Sequence, residues 1–129
     1  MGNPMAKQVM IADDDKNYRE TIFAQMEYFC DKQSISAEFH EASNGKELVD
    51  SVRAHRYDLI FTDNIMPELH GLLAIKQIRD FDKDVPIYML SSSEVGENAI
   101  ILGANGYFDK MKRDNFKSGI EAAIMKHLK

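Results

Sequence analysis

Apolar and polar positions alternate along the chain in two different rhythms. Short, almost continuous apolar or β-branched runs occur at Gln8 to Ala12, Leu59 to Thr62 and Pro86 to Leu90, with weaker ones at Ala37 to Glu41 and Gly106 to Phe108. Longer stretches of helical period lie between them: Tyr18, Ile22, Met26 and Phe29; then Leu48 and Val52; then Leu72, Ile75 and Ile78. Phe116, Ile120, Ala123, Ile124 and Leu128 mark a last helix beginning near Asn115. This alternation predicts an α/β fold in which five parallel strands form one sheet with helices on both faces. The first, third and fourth runs have the character of central strands covered on both sides. Asn44-Gly45 and Gly103 read as turn and helix-end residues.

A chain of 129 residues suits one domain, with residues 1–6 as an N-terminal extension and residues 7–129 as the folded unit. No output domain is expected after the last helix. Sixteen Lys and Arg against twenty-one Asp and Glu give a net charge of −5, which argues against direct binding of nucleic acid. No apolar run exceeds four residues, so membrane insertion is not expected, and a cytoplasmic location follows. Cys30 lies in the apolar stretch MEYFC and reads as a buried thiol. His40, His55, His70 and His127 show no ligand spacing and are assigned to the surface or to packing.

The chemistry gathers at the strand ends. In an open α/β sheet, ligands bind beyond the carboxyl ends of the strands, at the switch in topology. Asp13, Asp14 and Asp15 follow the first strand, Asp63 the third, Ser91-Ser92-Ser93 the fourth, and Asp109-Lys110 the fifth. Carboxylates facing each other from neighbouring strands about 5 Å apart repel by roughly 3 kcal/mol at an effective dielectric near 20. A hard divalent cation such as Mg²⁺ would offset this. With a hydroxyl and a Lys⁺ nearby, one carboxylate could act as a nucleophile toward phosphorus. Taken singly, each group has a plainer reading as helix cap, solvated turn or surface charge. Their convergence at one end of one sheet favours the chemical reading.

The chain from Lys7 to Leu128 resembles the receiver domains of bacterial two-component response regulators, in particular the single-domain kind. The motifs are an acidic pair after strand one, D-x-x-M-P-x-x-x-G from Asp63 to Gly71, Ser91 after strand four, and Gly-Ala-x-Gly-Tyr from Gly103 leading to Lys110. The resemblance implies the flavodoxin-like strand order 2-1-3-4-5. It implies Asp63 as phosphoacceptor, Asp14 as direct metal ligand, Asp13 as its water-mediated partner, and the main-chain carbonyl of Ile65 as a further Mg²⁺ ligand. It also implies Ser91 as switch hydroxyl, Lys110 as phosphate-binding lysine and Tyr107 as the aromatic that turns inward. A sensor histidine kinase or histidine phosphotransfer protein would be the donor, and an unnamed downstream protein the target.

Four features depart from the family pattern. His70 precedes Gly71 where an Asp is usual, and Met111 follows Lys110 where the family has a cis proline. A cis bond before a residue other than proline costs about 2.5 to 4 kcal/mol, so Lys110–Met111 is expected to be trans. The Ser91 to Gly103 stretch is shorter than usual by roughly one helical turn, which predicts a stunted or displaced fourth helix. Ile65 and Ser93 hold the two variable positions that flank the phosphoryl group in the family. The alternative is a receiver-like interaction module that works without phosphorylation. An aspartate-nucleophile phosphohydrolase is disfavoured by Ile65, where such enzymes carry a second Asp. A flavin carrier is disfavoured by the acidic exit of strand one.

Overall fold

A computed structural model describes residues 5–91 and 95–129. Ser92 and Ser93 lie outside the described residues. Five strands, β1 (Lys7–Ala12), β2 (Ala37–Ala42), β3 (Leu59–Thr62), β4 (Ile87–Ser91) and β5 (Gly106–Asp109), alternate with five helices. These are α1 (Lys16–Lys32), α2 (Gly45–Ala54), α3 (Gly71–Phe81), α4 (Gly96–Ile101) and α5 (Arg113–Leu128). The strands form one parallel sheet in the order β2-β1-β3-β4-β5. The predicted architecture and order are thus observed.

The sheet divides two apolar layers. Met10 and Ala12 of β1, Ile60 of β3, and Ile87 and Met89 of β4 face Leu48, Val49 and Val52 of α2, Ala74, Ile75 and Ile78 of α3, and Ala99 of α4. The intervening Val9, Ile11, Leu59, Phe61, Tyr88 and Leu90 face Ile22, Met26 and Cys30 of α1 and Phe116, Ile120, Ala123, Ile124 and Leu128 of α5. Burial on both sides explains why these strands read as continuous apolar runs. Cys30 is buried, as expected.

Local chemistry sets the helix starts. Asp15 accepts the Tyr18 N–H at the start of α1, and Asn44 accepts the Glu47 N–H at 2.8 Å at the start of α2. Gly103 has φ of +115°, a conformation that glycine adopts without strain, and ends the turn after α4. Some boundaries differ from the sequence reading. β4 begins after Pro86, which has no N–H to give to the ladder. It runs on through Ser91, because Ser91 pairs with Asp109. The helix α4 has only six residues, as the short segment predicted.

No peptide bond among the described residues is cis, so Lys110–Met111 is trans as expected. The turn after β5 is closed differently: the Asp109 carboxylate accepts the Met111 N–H at 2.9 Å, and its carbonyl accepts the Lys112 N–H at 3.1 Å. An Asp side chain that bonds the backbone two residues on mimics a turn, and here it lets α5 start at Arg113, two residues before the predicted position.

Candidate functional site

Asp13 and Asp63 leave adjacent strands at the same level. Ala12 and Thr62 are partners in the β1–β3 register, and the Asp63 N–H donates to the Ala12 carbonyl at 2.8 Å. The Asp13 N–H likewise donates to the Ala42 carbonyl on the other side. β1 lies between its sequence neighbour β2 and β3, so this is the switch point of the sheet. Here Asp13, Asp14 and Asp63 each offer a carboxylate oxygen, all within 4.8 Å of one another. Asp13 is buried, Asp63 half-buried and Asp14 exposed. Three anionic oxygens so close, one of them open to water, fit a hard divalent cation that keeps part of its hydration shell.

Lys110 closes the site from the end of β5. Its ammonium is 2.9 Å from Asp13 Oδ2 and 3.4 Å from Asp63 Oδ2. The Lys110 N–H donates to the Ser91 carbonyl at 3.3 Å, which ties the end of β5 to that of β4. The remaining oxygens of the two aspartates are held by backbone. Asp13 Oδ1 accepts the Asp15 N–H at 2.9 Å, and Asp63 Oδ1 accepts the Asn64 N–H at 2.8 Å. Burial pushes the Asp63 carboxyl above the ordinary carboxylate value and the Asp13 charge adds to the push, against Lys110 and the Asn64 N–H.

The loop after β3 anchors at both ends. Met66 is buried in the layer formed by α2, α3 and α4, which accounts for the Met-Pro pair so near an acid. Gly71 donates its N–H to the Asn64 carbonyl at 2.8 Å, and the Leu72 N–H reaches Asn64 Oδ1. No side chain fits at Gly71, because a Cβ there would overlap the Asp63 carbonyl oxygen. His70, at the N-cap of α3, makes no side-chain capping bond.

The other expected residues take varied positions. Ser91 is buried as the last residue of β4, the strand beside β3. Ile65, two residues after Asp63, is 64% exposed. Tyr107 is 46% exposed, and its ring rests on Gly96 so closely that a Cβ there would overlap it.

Two neighbours of the site were not singled out from the sequence. Arg19 donates to the Asp13 carbonyl at 2.7 Å and to Glu41 at 3.1 Å, bracing the acidic turn against β2. Tyr18, expected only as part of the α1 core stripe, also presents its ring to the Lys110 ammonium, 4.1 Å from the ring centre. Burial, with Asp13 and Asp63 behind it, pushes the Tyr18 phenol well up, so it stays protonated. The signal for both was their place in the first turn of α1, directly after the acidic run.

Comparison with known proteins agrees with this geometry. Residues 9–121 match the response regulator receiver domain family. The chain is 32% identical over 112 residues to the chemotaxis protein CheY of Halobacterium salinarum, covering 82% of this chain and 86% of that protein. It is 30% identical over 109 residues to the response regulator MprA of Mycolicibacterium vanbaalenii, but spans only 45% of that longer protein. The fold is similar to the receiver domain of the sensor histidine kinase PA1611 of Pseudomonas aeruginosa, solved with a magnesium ion in its active site cleft. That likeness has a TM-score of 0.79 at 21% identity and covers 95% of this chain and 97% of the other. The chain therefore belongs to the response regulator receiver domain family of two-component systems.

Proposed function

We propose that the receiver domain of residues 7–129 accepts a phosphoryl group on Asp63 from a phosphohistidine. The donor is a sensor histidine kinase or a histidine phosphotransfer protein. One observation carries the reading: three carboxylates with ligand oxygens within 4.8 Å, and a Lys110 ammonium 3.4 Å from one of them, gather at the switch point of the sheet.

In the transfer, an Asp63 oxygen attacks phosphorus, a P–O bond forms, and the P–N bond to the donor imidazole breaks with its electron pair leaving on nitrogen. Asp13, Asp14, Asp63 and the main-chain carbonyl of Ile65 would hold Mg²⁺, which when bound offsets the charge of the carboxylates and phosphoryl oxygens. Lys110 follows the negative charge from the Asp63 carboxylate to a phosphoryl oxygen. Ser91 donates its hydroxyl to another, and Tyr107 changes its exposure as that hydroxyl moves. The added charge of roughly −1.5 to −2 then alters the surface offered to a downstream protein. The protein is a stoichiometric acceptor in the cytoplasm and not a turnover enzyme. Membrane insertion and direct contact with nucleic acid are not part of this reading. No helix among the described residues is long and apolar enough to cross a bilayer.

Acetyl phosphate with Mg²⁺ should add the mass of one phosphate to the parent protein, and Asp63→Asn or a chelator should abolish the gain. A parent protein that gains no mass would support the alternative of an interaction module independent of phosphorylation.

A further inference from the structure

The Lys110 ammonium has a third neighbour besides the two carboxylates. Its 4.1 Å distance to the centre of the Tyr18 ring is well within the roughly 6 Å reach of a cation–π contact. The Lys110 side chain is only 18% exposed, so water weakens this attraction little. Tyr18 is itself fixed. Its N–H donates to the Asp15 carboxylate that caps α1, and its ring packs against the layer formed by α1 and α5.

We propose that Tyr18 is the positioning residue for Lys110, its ring face holding the ammonium over the Asp63 carboxylate. The inference rests on the reading of Asp63 as phosphoacceptor. An ammonium has three N–H donors. Asp13 takes one at 2.9 Å and Asp63 attracts a second at 3.4 Å. A ring face attracts the charge without using a donor, so the third N–H is left for a phosphoryl oxygen. A hydrogen-bond acceptor in the same place would hold the ammonium at one point. A ring face lets it slide by the distance that separates the carboxylate from a newly formed phosphoryl group. The need is greater for lysine than for arginine, because an ammonium on a flexible stem lacks the pre-organised planar fork of a guanidinium.

The test compares Tyr18→Phe, which keeps the ring face, with Tyr18→Leu, which keeps apolar packing alone. By NMR, the Lys110 ε-methylene protons should be displaced upfield by the ring in the parent and in Tyr18→Phe, and should return to ordinary values in Tyr18→Leu. Phosphorylation by acetyl phosphate should slow about five- to thirtyfold in Tyr18→Leu, the range a partly desolvated cation–π contact corresponds to, and should stay near parental in Tyr18→Phe. In a Lys110→Met background the leucine substitution should have no further effect. Tyr18→Phe failing as badly as Tyr18→Leu would overturn the inference, as would an additive loss in the Lys110→Met background. A parent that takes up no phosphate overturns the reading of Asp63. A parent that reacts while Tyr18→Leu reacts equally fast overturns only the inference about Tyr18.

Discussion

Gly71, the first residue of α3, lies directly against the backbone of Asp63, with no room for a side chain between them. The contact ties the helix start to the proposed nucleophile and explains the glycine eight residues after Asp63. Gly71→Ala should force the loop outward, with a stability loss of about 1–3 kcal/mol typical of overpacking. Urea denaturation measures this cost. Phosphorylation by acetyl phosphate should fall in the same variant under conditions where it is fully folded. A variant as stable and reactive as the parent would mean that the loop yields freely, and that Gly71 does not position Asp63.

The acidic cluster should make stability depend on divalent cations. Asp13, Asp14 and Asp63 are neighbours only in the folded state, so a cation bound among them favours that state. At a hundred times its dissociation constant, Mg²⁺ should add about 2.7 kcal/mol, seen as a rise in Tm. Asp14 is the exposed member and makes no contact with Lys110, which engages Asp13 and Asp63 instead. Asp14→Ala should therefore remove most of the Mg²⁺ response and leave the Lys110 contacts in place. An undiminished rise in Tm in Asp14→Ala would count against this ligand set.

The strands and the acidic site were legible because each rests on a local signal. Apolar runs such as Val9 to Ala12 and Ile87 to Leu90 leave little choice once both faces must be covered. Asp13, Asp63 and Lys110 each follow a strand directly, so the strand order places them together. The double duty of Tyr18 was not legible. A helical period assigns Tyr18 to the core stripe but does not say that the stripe borders the site at its first turn, where the ring meets a lysine from the far end of the chain. The turn after Lys110 was likewise hidden. Lack of a proline predicts a trans bond, but it does not reveal that the Asp109 carboxylate closes the turn.

Ile65 should govern how long the modification lasts. Its side chain is largely exposed two residues after Asp63, and an aliphatic group there cannot hydrogen-bond or orient an attacking water. Self-dephosphorylation is expected to be slow. Ile65→Asn introduces both a donor and an acceptor and should accelerate phosphate loss, followed by intact mass or phosphate release after the donor is removed. An equal or slower rate in Ile65→Asn would refute the role assigned to this side chain.

The Tyr88 hydroxyl and His127 Nε2 are 2.7 Å apart, joining β4 to the end of α5. Tyr88 is buried, and its ring stacks on Phe108. In the tautomer that leaves Nε2 unprotonated the phenol is the donor, and protonating Nε2 removes that acceptor. Burial pushes the His127 pKa down, and the neighbouring Lys126 charge pushes the same way. A histidine whose folded pKa lies below its unfolded value of about 6.5 binds fewer protons when folded. Its contribution to stability is therefore complete above about pH 6.5 and is lost as pH falls through the folded value. Denaturation measured from pH 8 to pH 5 should show this loss in the parent. His127→Gln keeps an acceptor for the Tyr88 hydroxyl and does not titrate, so its stability should change less over the same interval. Equal slopes in the two proteins would show that His127 has the same proton affinity folded and unfolded.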